Sequence, residues 1–120
     1  MAVVRIPPHD LEAEQAVLGA ILIDKDAVSS VSQLISSDNF YDPRHRDIYD
    51  AMLTLYEERK PLDLLTITDV LKKRKKLDKI GGSAYLASLT NIVPTAANSE
   101  YYAQIIRERY VRRSLIQISS

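Results

Sequence analysis

In every apolar segment of this chain the large side chains return at intervals of three and four residues, and no stretch of useful length alternates residue by residue. Leu11, Val17, Leu18, Ile21 and Leu22 form one such stripe. Ala27, Val28, Val31, Leu34 and Ile35 form a second, and Ile48, Tyr49, Met52, Leu55 and Tyr56 a third. Shorter sets at Val70 and Leu71 and at Tyr85, Leu86 and Leu89 follow. The last stripe takes in Tyr102, Ile105, Ile106, Val111 and Leu115 or Ile116. This spacing fits the 3.6-residue period of a helix and not the two-residue period of a half-buried strand. It predicts an all-α fold of about six helices.

The punctuation between stripes agrees. Asp10 caps a first helix whose opening turn carries Glu12 and Glu14, which favour the positive end of the helix dipole. Gly19 lies inside that helix and costs about 1 kcal/mol against alanine unless it allows close packing. Polar "SSDN" ends the second helix, and Asp42 followed by Pro43 starts the third. Pro61 is expected to break the third helix, and Thr66 with Asp69 to form a capping box for the fourth, which would run to about Leu77. Gly81 and Gly82 then make a turn into a fifth helix, opened by Gly82 or Ser83 and ended by Pro94. A long sixth helix begins near Ala96 and shows neither Gly nor Pro to stop it, so the sequence is expected to be the N-terminal piece of a longer chain.

The chemistry readable in the residues is sparse. His9 and His45 have no second ligand at metal spacing and read as surface or capping histidines. Glu12 and Glu14 point to different helix faces, as do Glu57 and Glu58, so neither pair offers acid–base work. Ser29, Ser30 and Ser32 lie near no histidine, and no phosphate loop, nucleophile elbow or zinc-protease motif occurs. The expectation is a non-enzyme with no catalytic, cofactor or metal residues. The basic run Lys72 to Lys76 invites a polyanion reading, but it winds around a helix end and carries no aromatic stacking partners. Sixteen basic side chains balance sixteen acidic ones, so no overall field draws the chain to nucleic acid, and DNA binding is expected to be weak. Absence of cysteine excludes disulfides and thiolate metal sites. With no signal peptide and no apolar run of about 20 residues, the expected location is cytoplasmic, with no membrane partner.

The blocks "PPHDLEAEQAVLGAIL", "DNFYDPRHRDIYDAM", "PLDLLTITDVL", "IGGSAYLASL" and "PTAANSEYYAQIIRERYVRR" occur in this order and spacing. Together they resemble the N-terminal domain of the DnaB-type replicative DNA helicases of bacteria, from Ile6 to about Leu115. The resemblance implies an N-terminal arm over residues 1–9, a helical head over 10–94, and the first helix of a helical hairpin over 95–120. The second hairpin helix and the motor that binds ATP and Mg would lie outside this chain. It further implies a non-catalytic role: pairing of copies, a collar built as a trimer of dimers on the hexameric ring, and docking of the primase C-terminal domain, with a helicase loader as a further partner. Carried over by position, Tyr85 is a candidate partner contact, and Tyr102, Ile105, Ile106 and Tyr110 are candidate subunit contacts. Burial within the chain's own domain competes with that role at each of these five. Gly19, Phe40 and Pro61 read as fold determinants. Two other classes compete: a small helical nucleic-acid or replication-initiation module using residues 72–76 and Arg107, Arg109, Arg112 and Arg113, and an unrelated helical adaptor. Glu100 and Glu108 dilute the arginine face.

Overall fold

The computed structural model describes residues 6–119; residues 1–5 of the expected N-terminal arm lie outside the described residues. Six α-helices follow one another: α1 (Leu11–Ile23), α2 (Ala27–Leu34), α3 (Pro43–Glu57), α4 (Leu64–Lys73), α5 (Gly82–Leu89) and α6 (Ser99–Ser119), with a single 3₁₀ turn at Ser37–Asn39. No strand occurs among the described residues, and the all-α expectation holds.

Helix α1 is apolar nearly all round and takes the central place. It packs against α2, α3, α5 and α6, while α4 lies on α3 and α5. Val17, Leu18 and Ile21 from α1 meet Ile48, Tyr49 and Met52 of α3, Ile67 and Leu71 of α4, and Leu86 and Leu89 of α5 in one core. Ala103 and Ile106 bring the first turns of α6 into that core, and Arg107 and Arg113 further along the helix bond to Leu34 O and to Pro8 O and Asn39 O, in a body 48 × 29 × 25 Å. Gly19 is required where α1 crosses the end of α5, because a Cβ there would collide with the Leu89 carbonyl oxygen.

Several boundaries correct the sequence reading. The box that opens α4 is Asp63 with Thr66, not Thr66 with Asp69: Asp63 Oδ1 accepts from the Thr66 amide at 2.9 Å, and Thr66 Oγ1 accepts from the Asp63 amide at 3.0 Å. That places Thr66 at the third helical position and starts the helix a turn earlier. Helix α3 ends at Glu57, before Pro61, and α4 ends at Lys73, before Leu77. Both close in the same way. Lys60 N–H donates to Leu55 O and Arg59 N–H to Tyr56 O, with Arg59 in the left-handed region at φ 56°. Lys76 N–H donates to Leu71 O and Lys75 N–H to Lys72 O, with Lys75 at φ 59°. These are Schellman closures whose usual glycine is a basic residue, so the expected stop signal is missing from the sequence. The Gly81–Gly82 turn stands as expected, with both glycines at positive φ.

Candidate interaction surface

Residues from three helices meet in a buried polar chain. Glu14 of α1, almost wholly buried, accepts from the Tyr41 amide at 2.7 Å and the Asp42 amide at 3.2 Å, so it closes the start of α3 from outside that helix. Its Oε1 lies 2.7 Å from His45 Nδ1, and His45 Nε2 lies 2.6 Å from the Tyr85 hydroxyl. Gln15 Nε2 donates to the same hydroxyl at 3.2 Å. Three side-chain hydrogen bonds therefore run in series: the Gln15 amide donates to the Tyr85 hydroxyl, and the His45 ring bridges that hydroxyl and the Glu14 carboxyl group. Arg44, held by both oxygens of Asp42, lies 4.6 Å from the centre of the Tyr85 ring. Burial on its own would raise the Asp42 pKa, but the Arg44 hydrogen bonds outweigh it and hold that carboxyl below its ordinary value.

This arrangement corrects the reading of His45 as a surface or capping residue, since it is fully buried. It also gives Glu14 a second task beyond the α1 dipole. A signal for both was present. Glu14 sits four residues before Leu18 and His45 three before Ile48, so each occupies a position that the apolar stripe assigns to the core. The carboxylate–imidazole–phenol sequence resembles an acid–base relay, yet it ends on an amide and beneath a guanidinium. Its effect is to tie α1, α3 and α5 together.

The candidate contact residues fall in two places. Tyr85 is half-buried on α5 and joined to α1 and α3. Tyr102, Ile105, Ile106 and Tyr110 are on α6, which packs on α1 and α2. Ile106 belongs to the chain's own core at 2% exposure, whereas Tyr102, Ile105 and Tyr110 are half-buried. Further out, Val111, Leu115 and Ile118 are exposed at positions i, i+4 and i+7 of α6, a single face, with Ile118 at 81%. Ile116, also exposed, borders a groove of about 600 Å³ with Ile6, Pro8, Tyr41 and Arg46.

The arginines of α6 make bonds within the chain. Arg107 donates to Leu34 O at 3.1 Å, and Arg113 donates to Pro8 O and Asn39 O, both at 2.8 Å. Burial lowers the Arg113 pKa, opposed by the nearby charge of Glu14. Arg109 and Arg112 both pair with Glu108. In the basic run, Lys73 pairs with Asp69, Lys76 with Asp47, and Arg74 donates to Thr54 Oγ1. Among the described residues no cluster of His, Asp or Glu is arranged to hold a metal, and no helix is long and apolar enough to cross a membrane.

Comparison with known proteins bears directly on what this surface belongs to. The chain is 48% identical over 113 residues to the replicative DNA helicase DnaB of Leifsonia xyli, covering 94% of this chain and 25% of that protein. It is 45% identical over 116 residues to the replicative DNA helicase DnaC of Bacillus subtilis, covering 97% of this chain and 26% of the relative. The chain thus spans about a quarter of the length of the curated relatives it matches. The crystal structure of the N-terminal domain of DnaB helicase from Mycobacterium tuberculosis superimposes with a TM-score of 0.93 at 44% identity, over 95% of this chain and 79% of that one. The family model of the DnaB-like helicase N-terminal domain matches residues 6–108. With the fold, the sequence and the family pattern in agreement over nearly its whole length, the chain belongs to the DnaB-like helicase N-terminal domain family.

Proposed function

We propose that this chain is the non-catalytic assembly and partner-docking domain of a hexameric replicative DNA helicase. In this reading its copies pair, the pairs form a trimer of dimers as a collar on the ring, and the collar binds the C-terminal helical domain of a primase. A helicase loader is a further partner of the assembled protein. The ATP and Mg that drive unwinding belong to a motor domain outside this sequence, and this chain itself takes no cofactor.

The observation that carries the reading is the outer face of α6, where Val111, Leu115 and Ile118 stand in solvent on one side of a helix whose first turns are locked into the core. An aligned apolar stripe of this kind favours burial against a second chain. Membership of the DnaB-like helicase N-terminal domain family supports a role in an oligomeric assembly. The nucleic-acid alternative is weakened by the arginines: Arg107, Arg109, Arg112 and Arg113 all bond within the chain, and two of the five basic residues in the run 72–76 are in ion pairs.

Sedimentation of the chain over a concentration series tests the assembly. Reversible self-association is expected, and Leu115→Ser, at a 60% exposed position, is expected to weaken it without lowering the melting temperature. A strictly monomeric wild type up to several hundred micromolar would count against the stripe as an interface. Calorimetric titration with a cognate primase C-terminal domain tests the docking. Tyr85→Ala there should cost binding about thirtyfold if the half-buried tyrosine is an anchor. Unchanged affinity with a lowered melting temperature would assign Tyr85 to the polar network alone.

A further inference from the structure

The least buried large aliphatic side chain on α4 is Leu65, 80% exposed at the first turn of a helix whose opposite face is in the core. It stands as a ridge between two grooves. On one side, a trough of about 530 Å³ separates α4 from α5, lined by Leu64, Leu65, Thr68, Ser83, Ala84 and Ala87. On the other, a groove of about 570 Å³ runs between Leu65 and the end of α3. The α5 wall is made of short side chains, so the floor is open, and it is a different face of α5 from the one that sends Tyr85 to His45. The self-association stripe lies on another helix altogether.

One end of this surface is positive. Lys72 follows Leu65 and Thr68 along the same face of α4, at helical spacing. Lys75 and Lys79 sit in the segment joining the two walls of the trough. All three are exposed, and among the described residues none makes an ion pair, in contrast to Lys73 and Lys76. Asp78, exposed between Lys75 and Lys79, offsets one of these charges, so in a chain of zero net charge the α4 end and the α4–α5 connection keep a local positive excess next to the helices that wall the trough.

The geometry points to a docking groove for an acidic amphipathic helix of another protein, seated across Leu65 with its apolar stripe in the α4–α5 trough and its carboxylates toward Lys72, Lys75 and Lys79. A helix fits because a ridge flanked by grooves is the shape that helix packing uses, and two helical walls offer no open backbone edge for a strand to join. A nucleic acid would satisfy the lysines but leave the apolar trough empty, with no aromatic side chain there for a base to stack on. The acidic flank follows from charge complementarity, which sets partner choice and register.

The test is an NMR titration of the isotopically labelled chain with a synthetic helical peptide of about 20 residues, carrying leucines at i, i+3, i+4 and i+7 and glutamates on either side. Shifts are expected to concentrate at Leu64, Leu65, Thr68, Ala84 and Ala87. Leu65→Ser, and separately Lys72→Glu with Lys75→Glu, should each weaken the peptide at least tenfold while the melting temperature stays put, because these side chains are exposed. A peptide with lysines for the glutamates should not bind. The proposal is overturned if the shifts fall elsewhere, or if Leu65→Ser leaves affinity unchanged. A single-stranded oligonucleotide that moves the same residues more strongly than the peptide would make the site a polyanion site instead. Loss of the chain's own self-association in Leu65→Ser would make it a contact between copies. Failure of primase to bind the wild-type chain would leave this peptide result standing, so the two readings fall separately.

Discussion

Removing the Glu14 carboxylate should cost this fold about as much as truncating one of its large apolar core side chains. Three buried or half-buried donors converge on it: the Tyr41 and Asp42 amides and His45 Nδ1. Glu14→Ala leaves all three without an acceptor in a place that water reaches poorly, since the residue is only 1% exposed. Each stranded donor costs about 1–3 kcal/mol, and partial relaxation makes the sum less than additive, so a loss of about 4 kcal/mol is expected. The Arg113 guanidinium also loses a favourable neighbouring charge. Against a total stability of about 5–15 kcal/mol the variant should still fold, with a melting temperature lower by about 12–20 °C for a domain of this size. Glu14→Gln is the sharper comparison. It keeps shape and one acceptor oxygen but aims an NH₂ at groups that are themselves donors, and should cost about 2 kcal/mol. Urea unfolding followed by circular dichroism measures both. If Glu14→Ala and Glu14→Gln each fall within about 1 kcal/mol of the wild type, the network does not hold α1, α3 and α5 together.

Gly19→Ala sets helix propensity, worth about 1 kcal/mol in favour of alanine, against a collision with the Leu89 carbonyl; overpacking by about 1–3 kcal/mol should win, and a rise in melting temperature would refute the close approach of α1 and α5. Lys75→Gly should stabilise by about 0.5–1 kcal/mol, because lysine holds a left-handed φ of 59° that glycine adopts without the Cβ clash; a destabilised variant in urea would count against the closure of α4. Asp42 has a folded pKa below its ordinary 3.8, so its contribution is present above that value and lost as pH falls through the lowered one. Asp42→Asn, which keeps a capping side chain, should therefore narrow its stability gap to the wild type between pH 6 and pH 3; a constant gap across melts in that range would refute the shift.

Much of the fold was legible because caps and stripes act locally. Asp10, Asp42 and the glycine pair at 81–82 each perform the task their sequence context announces, since a cap needs only the next three residues to be satisfied. The helix ends were less legible for an equally physical reason. Arg59 and Lys75 take the left-handed position that glycine usually marks, and nothing local in an arginine or lysine reports that conformation; it is imposed by Leu55 and Leu71, buried one turn earlier, whose carbonyls accept the closing bonds. The polar network lay deeper still. Its members are 31 and 40 residues apart in sequence, so no window of helical length contains them.

What a sequence can offer in such a case is an inconsistency: a glutamate and a histidine placed where the stripe demands an apolar residue. A buried carboxylate is tolerated only when donors meet it, so Glu14 in a core position already requires partners from elsewhere in the chain. His45, in a core position of the next strongly capped helix, is the side chain of the right length and chemistry to be one of them. The same reasoning runs in the opposite sense for Leu65. It is an apolar residue on the solvent side of α4, with lysines on the same helix and in the segment that follows, and nothing among the described residues covers it. Interior polar groups are explained by partners within the fold. An exposed aliphatic ridge with charge beside it asks for a partner from outside, which is why the α4–α5 trough, rather than the better-filled polar network, is where this domain's next interaction should be sought.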